Sequence, residues 1–94
     1  MAELDPLIHA DARLRVMSVL NTLGPRNSVS FPKLREILSM TAGNLSTHLR
    51  KLEDAGYISQ TKVIEGRSPA TYLGITATGM AAFDTYKKQL MELL

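Results

Sequence analysis

The chain of 94 residues reads as a mainly α domain with a small β-hairpin, an α+β fold. Three observations lead there. Leu45, Leu49 and Leu52 recur at spacings of four and three, which lays one apolar stripe along a helix. A second short helical pattern, Phe31-Pro-Lys-Leu-Arg-Glu-Ile-Leu, ends only a few residues before it. Two extended runs, separated by a Gly-Arg-Ser-Pro tip at Gly66–Pro69, follow it.

In chain order, Asp5 to Leu23 predicts the first helix, with Asp5 as its cap and Pro6 at the first helical position. Its apolar residues form two faces. Leu4, Ile8, Val16, Val19 and Leu23 fall on one side, and Leu7, Leu14 and Met17 on another. A helix in a lone small domain needs one buried face, so the second face points to a partner. The alternative is a helix clamped between the core and the last helix of the same chain. Gly24-Pro25-Arg26-Asn27 is a turn. Ser30 can cap the second helix, whose core face is Phe31, Leu34, Ile37 and Leu38. Lys33 and Arg35 look outward, as phosphate contacts or as a solvated face.

The next helix spans about residues 41–55, with Thr41 as its cap and Gly56 as its stop. At about 100° per residue, the face opposite the leucines carries Gly43, Asn44, Thr47, Arg50, Lys51 and Asp54. Leu34, Ile37, Leu45, Leu49, Leu52 and Ile58 are expected in one core. Tyr57 to Ile64 and Ala70 to Ile75 predict two strands, with Gly66 permitting the turn and Pro69 discouraging pairing at its tip. The last helix begins at Thr76-Ala77-Thr78-Gly79 and runs to Leu94. Phe83, Tyr86, Leu90, Leu93 and Leu94 recur along it at spacings of mostly three and four, and its apolar end calls for a cover.

Two short helices joined by three to four residues form a helix-turn-helix. With Leu45-Ser46-Thr47-His48-Leu49, then Leu52, Gly56-Tyr57-Ile58, Glu65-Gly66-Arg67 and Ile75-Thr76, the chain resembles the winged helix-turn-helix regulators of the MarR and ArsR type. The resemblance covers nearly the whole chain and implies a single domain over 1–94, in the order α-β-α-α-β-β-α. Ser28-Val29-Ser30 would supply the first short strand. It implies a DNA-binding transcription regulator with its recognition helix at about 41–55 and its wing at about 62–71.

A major groove about 12 Å wide accepts one α-helix, and each expected contact has a chemical reason. The small residues from Thr41 through Gly43 to Ser46 let the backbone approach base edges. Asn44 can pair with adenine, Thr47 offers a hydroxyl or a methyl, and Arg50 reaches guanine or phosphate. Lys51 suits phosphate. On the wing, Lys62, Arg67 and Ser68 are placed for a neighbouring groove or the backbone, and a narrow A·T-rich minor groove attracts arginine. Leu7, Leu14, Met17, Phe83, Tyr86, Leu90 and Leu93 are the expected homodimer interface, and the operator is then an inverted repeat. A small-molecule effector would sit between the first and last helices; the alternative switch is a partner protein.

Composition bounds the alternatives. Apolar residues make up 45% of the chain, enough to fold. The net charge of +2 suffices for nucleic acid only if the cations gather on one face. No cysteine is present, which removes disulfides and thiolate metal sites and fits a cytoplasmic protein. No apolar run is long enough to span a membrane, and the start lacks the pattern of a secretory signal. His9 and His48 stand far apart without ligand-spaced partners, and Ser46 has no base positioned beside it. No enzyme, metal or cofactor is expected. The competing reading is a winged-helix module whose polar helix face meets a protein.

Overall fold

The structure, a computed structural model, describes residues 3–94. Its elements are α1 (Asp11–Leu23), β1 (Val29–Ser30), α2 (Phe31–Leu38), α3 (Ala42–Asp54), β2 (Ile58–Glu65), β3 (Ser68–Ile75) and α4 (Ala77–Leu93). This is a winged helix, in the order the sequence predicts.

The helix-turn-helix is built by matching caps. Ser30 Oγ accepts the Lys33 N–H at 3.3 Å, and Thr41 Oγ1 accepts the Asn44 N–H at 3.2 Å. Both helices end on a left-handed residue followed by an N–H that reaches back five positions. Met40 N–H donates to the Arg35 carbonyl at 3.2 Å, and Tyr57 N–H to the Leu52 carbonyl at 3.0 Å. After α3 the left-handed residue is Gly56, with φ 79°. After α2 it is Ser39, with φ 53°, the one such non-glycine among the described residues. A Cβ in that region costs roughly 1–2 kcal/mol. Part of the gain from removing it is lost to the freer unfolded chain, so Ser39→Gly should stabilise the domain by up to about 1 kcal/mol. Urea unfolding checks this; a loss of stability instead would show that the serine side chain itself supports the turn.

The three strands form one antiparallel sheet in the order β1-β3-β2. The hairpin pairs closer to its tip than the sequence suggests, from Ile58↔Ile75 to Glu65↔Ser68, leaving only Gly66 and Arg67 as the turn. Gly66 takes φ 63°, which suits the first central position of a two-residue hairpin loop. Pro69 reads in the sequence as discouraging pairing at the tip, and the register explains why the pairing runs past it. A two-residue loop makes Glu65↔Ser68 a hydrogen-bonded pair, so Ile64↔Pro69 is a non-hydrogen-bonded one and needs no N–H from Pro69 toward β2. On the other edge β1 reaches only Tyr72 and Leu73 and leaves Pro69 uncovered.

The core gathers Ile8, Val16, Met17, Leu20, Leu34, Leu38, Leu45, Leu49, Leu52, Ile58, Leu73, Ile75, Phe83 and Tyr86. Two expectations are corrected here. Ile37 is 48% exposed, because the short α2 buries only its Leu34–Leu38 edge and Ile37 turns off it. The first helix starts at Asp11, not Asp5, since Ala10 is extended at φ −144°, ψ 131°. Asp5 caps only one turn: its carboxylate accepts the N–H of Leu7 at 2.9 Å and of Ile8 at 3.4 Å, and the Tyr57 hydroxyl at 2.6 Å. That last bond raises the Tyr57 pKa to about 12, with burial as a second cause. The break at Ala10 rephases the chain, so Ile8 and Val16, Met17 and Leu20 all meet the same core. The two apolar faces read from a continuous helix thus converge in large part on one chain.

Candidate nucleic-acid interface

The leucine stripe of α3 is fully buried, and this fixes which face of the helix looks out. Thr41, Gly43, Asn44, Ser46, Thr47, Arg50 and Lys51 are all exposed. A Cβ at Gly43 would meet nothing within 4 Å, so the start of the helix is open to a close approach. Thr47 donates its hydroxyl proton to the Gly43 carbonyl at 3.0 Å, which leaves its methyl and an oxygen lone pair to face outward.

Ser46, Thr47, Arg50 and Glu53 of α3 and Gln60 and Lys62 of β2 line one open cleft of about 770 Å³. Arg50 and Lys62 are thereby brought together, though twelve residues apart in sequence. Gln60 donates to Glu53 at 3.4 Å and so occupies the acid that lines the same cleft. Gln60 escaped the sequence reading; its signal was its place two residues from Lys62, on the same face of β2. Lys51 lies on the other flank of the helix, about 100° from Arg50.

Arg67 and Ser68 are exposed at the wing tip, away from the cleft. Glu65 does not pair with Arg67: it accepts the Tyr72 hydroxyl on both oxygens, at 2.9 and 2.8 Å, and that bond raises the tyrosine pKa. Among the described residues the ion pairs are Lys33–Glu36 at 3.9 Å and Lys88–Asp84 at 3.0 Å. Arg50, Lys51, Lys62 and Arg67 take part in neither. Of the outward candidates on α2, Lys33 is thus partly engaged, and Arg35 donates through Nε to the Met40 carbonyl at 3.0 Å.

His48 sits half-buried beside the leucines, with its Nδ1 3.2 Å from Arg13 Nη1. Burial pushes its pKa below the ordinary histidine value, and the positive charges of Arg13 and Lys51 push it the same way. His9 instead reaches α4, with Nδ1 2.8 Å from the Tyr86 hydroxyl.

The residues expected at a dimer interface divide sharply. Met17, Phe83 and Tyr86 are buried in the chain's own core and offer no surface to a partner. The helical spacing that marked them is the same for either kind of burial. Leu7, Leu14 and Leu90 are half-buried against that core, and Leu93 is 56% exposed beside the more exposed Met91 and Leu94. No helix among the described residues is long and apolar enough to cross a membrane, and none of their His, Asp or Glu side chains gather in threes as metal ligands would.

The family model of the winged helix DNA-binding domain matches residues 12–94. An uncharacterized protein of Methanocaldococcus jannaschii is 34% identical over 88 residues, 93% of this chain and 91% of that relative. The solved structure of a transcriptional regulator homologue from Pyrococcus horikoshii is 32% identical, with a TM-score of 0.82 over 93% of this chain and 83% of the other. A putative MarR-family transcriptional regulator from Enterococcus faecalis shares the fold at 21% identity, with a TM-score of 0.76 over 90% and 74% of the two chains.

Proposed function

The chain belongs to the winged helix DNA-binding domain family, and on that premise we propose that it is a sequence-specific, double-stranded DNA-binding transcriptional regulator that grips an inverted-repeat operator as a homodimer. One observation carries the reading. Arg50, Lys51, Lys62 and Arg67, all exposed and outside any ion pair among the described residues, surround the helix that also presents an open Gly43 and a free-facing Asn44. The chain balances 11 Lys and Arg against 9 Asp and Glu, so its cations serve nucleic acid through where they stand, and these four stand on the helix and the wing.

The division of labour follows from chemistry. Asn44 and Arg50 read base edges in the major groove, through adenine and guanine respectively. Gly43, Ser46 and Thr47 allow the close approach, and Thr47 adds its methyl to a thymine contact. Thr41 holds the start of the helix as well as facing the duplex. Lys51 and Lys62 neutralise phosphates on the two flanks of α3, while Arg67 and Ser68 carry the wing to the adjacent groove or backbone.

Selection of bound sequences from random duplex, read for an inverted repeat, tests recognition and symmetry together. Arg50→Ala and Asn44→Ala should each lose about 1–3 kcal/mol and relax preference at one base position. Lys51→Ala and Arg67→Ala should weaken binding evenly across sequences and flatten the salt dependence. If all four changes leave duplex affinity untouched, the polar face of α3 serves a protein partner instead.

A further inference from the structure

Arg13 is the cation of α1 that is drawn inward. It is half-buried, its Nε donates to the Leu7 carbonyl, and its Nη1 lies 3.2 Å from His48 Nδ1. A guanidinium has donors and no acceptor, so the bond to His48 requires a neutral imidazole that accepts at Nδ1 and keeps its proton on Nε2. Leu7 in turn belongs to the turn that Asp5 caps and that the Asp5–Tyr57 bond ties to the sheet end of α3. One side chain therefore joins the N-terminal turn, α1 and α3.

The place of His48 on α3 gives this strut its consequence. His48 stands four residues after Asn44 and three before Lys51, so the three share one flank of the helix. The opposite flank leans on β2 through Glu53 and Gln60. On the α1 side, among the described residues, the hydrogen bonds of α3 to α1 reduce to Arg13–His48. The buried leucines hold α3 down, and the strut governs how that flank sits.

We propose that Arg13 is a positioning residue for the DNA-reading helix, acting through neutral His48, and that protonation of His48 releases α3 and lowers affinity for duplex DNA. This rests on the DNA-binding reading above. The charged groups facing His48 are Arg13 from α1 and Lys51 from α3 itself; from β2, Lys62 lies on the far flank with Arg50. These are all cations, and no carboxylate is bonded to the ring. A histidine whose pKa is depressed by folding favours the native arrangement in full above the ordinary histidine value of 6.5. That favour falls away below this value and is lost once pH has passed through the lowered pKa. The sign is diagnostic, because one more positive charge on a helix against DNA would by itself tighten binding.

The test measures affinity of the intact chain for the selected duplex at about pH 7.5 and about pH 5.5, at one ionic strength, where an unperturbed histidine changes charge. The wild type should weaken by roughly threefold to tenfold on acidification. Arg13→Met should bind poorly at both pH values with no fall between them, and Arg13→Lys should recover part of the affinity. His48→Asn keeps an acceptor and has no titrating proton, so its affinity should not change with pH. His9→Gln should keep the wild-type fall. Amide exchange of residues 42–47 should quicken in Arg13→Met while Leu49 and Leu52 stay protected. If Arg13→Met does not fold, the His48→Asn comparison decides. Affinity that rises or stays level on acidification of the wild type, or a fall that persists in His48→Asn, overturns the proposal and leaves the DNA reading standing. Absence of duplex binding at both pH values overturns both.

Discussion

Gly79→Ala should cost this domain a large share of its stability. A Cβ at Gly79 would stand 2.0 Å from the Tyr57 carbonyl oxygen, 2.8 Å from its carbon and 3.0 Å from Ile75 Cγ1. The obstacle is backbone, and that backbone is tied. The same Tyr57 carbonyl accepts the Thr76 N–H at 3.1 Å, Thr76 Oγ1 donates to the Gly56 carbonyl at 2.6 Å, and Gly79 N–H donates to Thr76 Oγ1 at 2.9 Å. The end of α3, the start of β2 and the cap of α4 meet in this one knot. Overpacking a well-packed core costs typically about 1–3 kcal/mol and occasionally more. Here the two nearest obstacles are tied backbone atoms, so the loss should reach roughly 3 kcal/mol or more, against a total of about 5–15 kcal/mol for a domain. Urea unfolding followed by circular dichroism gives the number. A loss under about 1 kcal/mol would mean that the first turn of α4 can slide away from Tyr57 without consequence.

That knot also marks where the sequence was legible and where it was not. Leu45, Leu49 and Leu52 announce their helix because burial repeats along one local period, and all three are buried. Gly56 announces the end of that helix because one residue type escapes the left-handed penalty. Thr76 as the start of α4 follows from the same local chemistry. The closeness of Gly79 to Tyr57 has no such signature: 22 positions separate them in the sequence, and a glycine near a helix start reads as a simple turn residue. The same holds for Asp5, Arg13 and His9. Their partners Tyr57, His48 and Tyr86 lie 52, 35 and 77 positions away, and those contacts, not the local pattern, accompany the break at Ala10. The wing shows a milder version. Pro69 reads locally as a strand breaker, and only the pairing register reveals that its missing N–H is not needed. In the candidate site, Arg50 and Lys51 were legible from helix phase, whereas their relation to Lys62 required the fold that brings β2 against α3.

Omission of residues 89–94 should separate folding from assembly, with the largest effect on DNA affinity. Phe83 and Tyr86 belong to the core and remain, with Tyr86 still held by His9, so the helix-turn-helix should stay folded. What is removed is Leu90 and the exposed Met91, Leu93 and Leu94, at 70%, 56% and 91% exposure, together with the polar residues between them. Burying such side chains between two copies contributes roughly 1.5–3 kcal/mol each, enough with Leu7 and Leu14 to hold a pair of small subunits. A two-fold pair sets two copies of α3 on one face of the duplex, about 34 Å apart or a near multiple of that. The second half-site is then bound at a high effective concentration, and its loss should lower affinity for an inverted repeat by about 10²–10⁴-fold. Binding of a single half-site should hardly change. Sedimentation of the intact chain at micromolar concentration, set beside duplex titrations of both forms, checks each part. An intact chain that sediments as a monomer and still binds an inverted repeat tightly would show that these apolar side chains serve something other than a second copy.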